Sequence, residues 1–154
     1  EVMGRQAGYI ALNVAISCGA EVVLIPEIPF SIDKDLIKPL FEAKNRGKKH
    51  YIVIVAEGVG DTIKLAEIIQ ERTGIDARAT ILGHLQRGGS PSTRDRQMAS
   101  YMSIHAIECL RDGRLNRIIA YQGGKIVDLD IEEALKATKT ITKEELDRAM
   151  ILSL

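Results

Sequence analysis

The stretch Gly83-His84-Leu85-Gln86-Arg87-Gly88-Gly89-Ser90-Pro91 sets a histidine and an arginine three residues apart in a glycine-rich turn, directly after an apolar, strand-like run. Both side chains can donate to a phosphate, and glycine lets the backbone come close to a ligand. The chemistry this suggests is capture of an anionic small molecule. Three further residues could join it. Arg5, behind Met3 and Gly4, stands where the first helix is expected to open, and free N–H groups at a helix start favour anions. Glu57 closes a buried apolar run, a costly place for a carboxylate unless it faces a cleft and accepts from sugar hydroxyls. Arg78 stands among small and apolar residues. Each also has a plainer reading: Arg5 in a frayed turn, Glu57 as a turn residue, Arg78 reaching water from an edge, His84 and Arg87 as solvated turn residues. A second cationic group, Arg46-Gly47-Lys48-Lys49-His50, lies between an expected helix end and a strand. It reads either as a solvated basic turn or as a second anion site.

The bulk numbers exclude more than they suggest. The chain has 154 residues, with 21 Lys+Arg against 21 Asp+Glu, so the basic excess of a nucleic-acid binder is missing. No run of apolar residues is long enough for a membrane span, and Glu1 to Arg5 form no signal peptide. Cys18 and Cys109 read as two reduced, buried thiols of a cytoplasmic protein. No Walker A pattern, no Gly-x-Gly-x-x-Gly after a strand and no zinc spacing occurs. A first residue of glutamate, with helical patterning a few residues on, reads as a fragment or a processed chain.

The elements that must position these groups alternate. Helices are expected over 4–18, from Ser31 or Asp33 to Arg46 with a kink or late start at Pro39, and over 62–72 behind an Asp61 cap. Strands are expected at 22–25, 51–56 and 77–82. A long helix over 93–111 is followed by a hairpin around Gln122-Gly123-Gly124 and by a helix capped by Asp130. Thr142-Lys143-Glu144-Glu145 is a capping box for a last helix. His105 reads as structural. The pattern predicts an α/β fold with an open, mostly parallel sheet flanked by helices. Ligands of such sheets bind beyond the carboxyl ends of the strands, where Glu57 and the 83–90 turn both fall.

Taken together, Glu1-Val2-Met3-Gly4-Arg5, Arg46 to His50, Ala56-Glu57-Gly58 and Gly83 to Pro91 resemble the bacterial ATP-dependent 6-phosphofructokinase family in order and interval. The resemblance runs along essentially the whole chain and is to the C-terminal half of that enzyme. It implies transfer of the ATP γ-phosphate, with magnesium, to the 1-hydroxyl of fructose 6-phosphate. It implies that Met3, Gly4, Arg5, Glu57, Arg78, His84 and Arg87 contact the sugar phosphate. Arg5 would also steady the transferring phosphoryl group, and Arg78 would reach a neighbouring subunit's site in a homotetramer. An effector site for ADP or phosphoenolpyruvate would use Gly19, Ala20, Glu21, Arg46, Lys48, Lys49 and His50, with Glu21 on the magnesium of bound ADP.

The family's glycine-rich ATP loop and its Thr-Ile-Asp-Asn-Asp motif, which carries the catalytic base, are absent from this chain. Tyr9 stands where bacterial members commonly have aspartate, about one extra residue lies near Pro39, and the tail after Gln122 is less typical. The resemblance implies residues 1–86 as the fructose 6-phosphate and effector domain, 87–136 as a segment returning to the ATP domain, and 137–154 as a return to the first. The parent enzyme is expected to be an allosteric, cytoplasmic glycolytic kinase, and the isolated chain to be inactive. A pyrophosphate-dependent relative, or a non-catalytic sugar-phosphate or nucleotide-binding module, is the alternative.

Overall fold

The computed structural model describes residues 1–137 and 141–151. In chain order its elements are α1 (Tyr9–Cys18), β1 (Val22–Leu24), α2 (Lys38–Asn45), β2 (Val53–Val55), α3 (Thr62–Thr73), α4 (Thr93–Arg111), β3 (Arg117–Gln122), β4 (Lys125–Asp130), α5 (Ile131–Lys136) and α6 (Lys143–Ile151). Two compact units form, Glu1–Gly88 with Thr140–Leu154, and Gly89–Lys139.

The first unit is built on β1 and β2, which pair in parallel with Val22 opposite Val53 and Leu24 opposite Val55. Successive strand side chains point to opposite faces, so β1 serves two cores. Val23 and Ile25 pack with Ala11 and Ala15 of α1 and with Ile141 and Ala149 at α6. Val22 and Leu24 pack with Leu36, Leu40, Leu65 and Ile69 on the α2 and α3 side. This is the helix–sheet–helix layering of an α/β fold, with a short parallel sheet.

Backbone bonds extend that sheet sideways. Val2 N–H donates to Val55 O at 2.9 Å and Glu57 N–H to Val2 O at 3.0 Å. On the far side of residue 1, the Glu1 ammonium donates to Thr80 O at 2.7 Å and Leu82 N–H to Glu1 O at 3.2 Å. The strand expected at 77–82 does not form; among the described residues its ladder-type bonds are these two, both to Glu1.

Three other expectations change. The first helix begins at Tyr9, not Gly4, and residues 4–8 form a loop in which Arg5 takes a left-handed backbone (φ 51°). Cys18 is exposed although it shares the face of Ala11 and Ala15, because it is the last residue of α1; Cys109 is buried. The helix before Gly47 opens with a widened turn over Ile32–Ile37, in which Lys38 N–H reaches back to Asp33 O. Ser31 accepts from Lys34 N–H at its start, and Pro39, which has no N–H to give, falls at the start of α2.

The second unit is a helix on a hairpin. Ser92 and Asp95 form a capping box at α4, and β3 and β4 pair antiparallel around Gly123-Gly124. Its main tie is Asp128, which takes His105 Nε2 at 3.1 Å, Arg114 at 2.5 Å and Arg117 at 2.8 Å. Those bonds, His105 first, pull its carboxyl well below 3.8, to about 2. His105 is therefore structural. No helix among the described residues is long and apolar enough to cross a membrane.

Candidate functional site

A cavity of about 690 Å³ is lined by Met3, Gly4, Arg5, Ile10, Glu57, His84, Gln86 and Arg87. It lies beyond the carboxyl ends of neighbouring parallel backbones, because Met3 follows Val2, Glu57 follows β2 and the Gly83–Arg87 turn follows Leu82. Six residues expected at one site, spread over 85 positions of sequence, meet there: Met3, Gly4, Arg5, Glu57, His84 and Arg87.

The loop carrying Arg5 is held by its backbone. Met3 N–H donates to Gln86 Oε1 at 2.8 Å, Arg5 N–H to Glu57 Oε1, and Gly8 N–H to Glu27 Oε1 at 2.8 Å. Gly58 is required beneath it, since a Cβ there would collide with the Arg5 carbonyl oxygen and lie 3.3 Å from Gln6 Cα. Anchored this way, the loop leaves the Arg5 side chain exposed. Among the described residues no ion pair involves Arg5, His84 or Arg87. Glu57 is the one acidic residue of the lining. The cavity wall therefore carries surplus positive charge in donor groups suited to an anion.

Arg78 is not brought there. It lines a different cavity of about 550 Å³ with Lys49 and His50, is 86% exposed, and has Asp76 as its nearest acid at 3.5 Å.

Of the second expected cluster, Glu21 and Lys48 are in contact. Glu21 N–H donates to Ile52 O at 2.9 Å, and Ile52 N–H returns to Glu21 Oε2 at 2.5 Å, so the Gly19–Glu21 turn lies against the strand that follows His50. Glu21 is 3% exposed and its other oxygen pairs with Lys48. Arg46, Lys49 and His50 are exposed, and Lys49 and His50 line the cavity that holds Arg78. With both oxygens engaged and covered, Glu21 as arranged does not fit a divalent-cation ligand. His105, Cys109 and Asp128 also bring donor atoms within 4.8 Å of one another, but Asp128 is saturated by two guanidinium groups, which disfavour a cation.

Sequence reasoning missed three residues here. Gln86 was visible in the turn between His84 and Arg87 but carried no assigned role. Ile10 was read only as part of the expected first helix. Glu27 follows β1 and its partner Gly8 is 19 residues away, a pairing without a local signal.

The phosphofructokinase family model matches residues 1–110. The chain is 50% identical over 153 residues to the ATP-dependent 6-phosphofructokinase of Clostridium acetobutylicum, covering 99% of this chain and 48% of that protein. To the enzyme of the same name from Alkaliphilus metalliredigens it is 46% identical over 154 residues, again 48% of that protein. The chain thus spans about half the length of the curated relatives it matches. Among solved structures it resembles Pichia pastoris phosphofructokinase in the T-state (TM-score 0.81, 29% identity, 88% of this chain and 17% of that one). It likewise resembles the Saccharomyces cerevisiae enzyme (TM-score 0.76, 31% identity, 88% and 19%). A matched family model over most of the chain, half-identical relatives and a shared fold place this chain in the phosphofructokinase family.

Proposed function

We propose that the cavity beyond the strand ends binds fructose 6-phosphate, and that the protein to which this chain belongs phosphorylates its 1-hydroxyl from ATP. The observation that carries this reading is the convergence of Met3, Gly4, Arg5, Glu57, His84, Gln86 and Arg87 on one cavity with unpaired cations. The names of the relatives support the reaction. Arg87 and His84 grip the substrate, Arg87 through the 6-phosphate. Glu57 turns its second oxygen, which carries no hydrogen bond among the described residues, to the sugar hydroxyls. Arg5 lies at the same cavity and offsets charge on the transferring phosphoryl group. Phosphoryl transfer rests on positioning and charge stabilisation more than on covalent help.

No residue of this chain is assigned as the base that takes the hydroxyl proton. Magnesium enters with ATP as part of the donor, and Glu21 is not its ligand here. Arg78, exposed and away from the cavity, completes the equivalent site of another subunit in a homotetramer. Arg46, Lys49 and His50 hold the phosphates of ADP or the anionic groups of phosphoenolpyruvate, with Lys48 shaping the turn through Glu21.

A coupled assay for fructose 1,6-bisphosphate on the full-length parent tests the reaction. ATP-dependent product is expected. Product with pyrophosphate alone would reassign the donor, and no product with either would overturn the enzymatic reading. This chain by itself is expected to show no turnover.

A further inference from the structure

The Arg5 loop is pinned at three backbone N–H groups, and each acceptor comes from a different segment, two of them following strands. Gln86 follows the 80–82 backbone, Glu57 follows β2 and Glu27 follows β1. Gln86 and Glu57 line the cavity; Glu27 does not. What Glu27 touches is the root of the loop. Gly8 is buried and precedes α1, and a Cβ there would lie 2.5 Å from Ile25 Cβ and 2.8 Å from Glu27 Oε2. The backbone at Gly8 is therefore seated directly on the segment leaving β1.

Two further observations single Glu27 out. The first turn of α1 holds no acidic residue, and Gly8 gives it no side-chain cap, so a remote carboxylate answers the N–H groups and dipole of that helix end. The second oxygen of Glu27 is buried and accepts no hydrogen bond among the described residues. Covering a carboxylate oxygen without a partner is costly and calls for a reason.

We propose that Glu27 is a positioning residue for the anion site: fixed on Gly8 N–H, it sets the Met3–Gly8 loop and through it Arg5. This rests on the sugar-phosphate reading only for its effect on ligand. With Glu27 in place, Gly8 cannot move off Ile25, and the left-handed backbone at Arg5 is held between two anchored N–H groups, its own on Glu57 and that of Gly8 on Glu27. Without it the loop keeps its two anchors at the cavity but loses the one at its root. The Arg5 guanidinium is then no longer presented at one position, and a misplacement near 1 Å is enough to lose an order of magnitude or more.

The test uses this chain in three forms: wild type, Glu27→Ala and Glu27→Gln. The glutamine keeps a carbonyl oxygen for Gly8 and removes the charge. Backbone amide exchange is read at Gly8, Arg5 and Val55, the last reporting global opening of the core. Fructose 6-phosphate affinity is read by calorimetry. Glu27→Ala is expected to speed exchange at Gly8 and Arg5 about tenfold, leave Val55 unchanged and weaken fructose 6-phosphate about tenfold, with Glu27→Gln within about threefold of wild type. The proposal is overturned if Gly8 and Arg5 exchange is unaltered, if Val55 accelerates by the same factor, or if the loop loosens while affinity stays. If wild type shows the expected amides but binds no fructose 6-phosphate, the ligand reading fails and the hold of Glu27 on the loop stands.

Discussion

The two ends of the β1–β2 pair use charge differently. At the carboxyl end, neutral and acidic acceptors hold backbone N–H groups, and no ion pair among the described residues involves Arg5, His84 or Arg87. At the amino end, a cation does the holding: Lys48 is spent on buried Glu21, while Arg46, Lys49 and His50 of the same turn are exposed. A sheet end that recognises an anion keeps its cations free and fixes them through the backbone beneath. The amino end gives up one cation to fix its own turn, because a buried carboxylate left unpaired would cost more than the pair gains.

Breaking the carboxyl end should have the largest effect on ligand. Arg87→Ala is expected to weaken fructose 6-phosphate about 100-fold, the scale of one lost charge-assisted phosphate contact, while Arg46→Ala shifts it less than about twofold. Calorimetry on both variants measures the contrast, and equal losses would erase it. Lys48→Met should act on stability instead. It strands Glu21 and should cost about 2 kcal/mol in denaturant unfolding, reduced from a fully buried pair because Lys48 is 35% exposed, with little change in sugar-phosphate affinity.

Gly58→Ala sharpens the comparison from the backbone side. The added methyl group meets the Arg5 carbonyl, so about tenfold weaker fructose 6-phosphate and about 1 kcal/mol lower stability are expected. The smallest effect lies in the second unit, where Asp128 shows a carboxylate held by two guanidinium groups and a histidine. Its folded carboxyl titrates near 2, below 3.8, so its contribution is present above about pH 4 and is lost as pH falls toward 2. Amide signals of β3 and β4 should weaken over that window in the native chain, and Asp128→Asn should abolish the dependence.

Local signals carried most of the fold. Asp61 and Gly74 bound α3, Ser92 precedes α4 and Gly123-Gly124 turns the hairpin, each because a few adjacent residues settle the geometry. The misreadings fall where distant groups decide. Ala7 and Ala11 fit a helix from Gly4, yet Gln86, Glu57 and Glu27 take the N–H groups of residues 3, 5 and 8 and hold a loop instead. Residues 77–82 have the composition of a strand but make just two ladder-type bonds, both to Glu1. The candidate site was legible in its cations and in Glu57, since those types at strand ends point to an anion. Gln86 and Glu27 were not, because their work is done on backbone groups far away in sequence.

The central claim is that fructose 6-phosphate occupies the cavity at the carboxyl end. The most direct measurement is an amide shift titration of this chain with fructose 6-phosphate, with fructose as the phosphate-free control. Saturable shifts are expected at Met3, Gly4, Arg5, Glu57 and His84 to Arg87, absent with fructose and lost in Arg87→Ala. Shifts confined to Arg46, Lys49 and His50, or none at either end, would contradict the account.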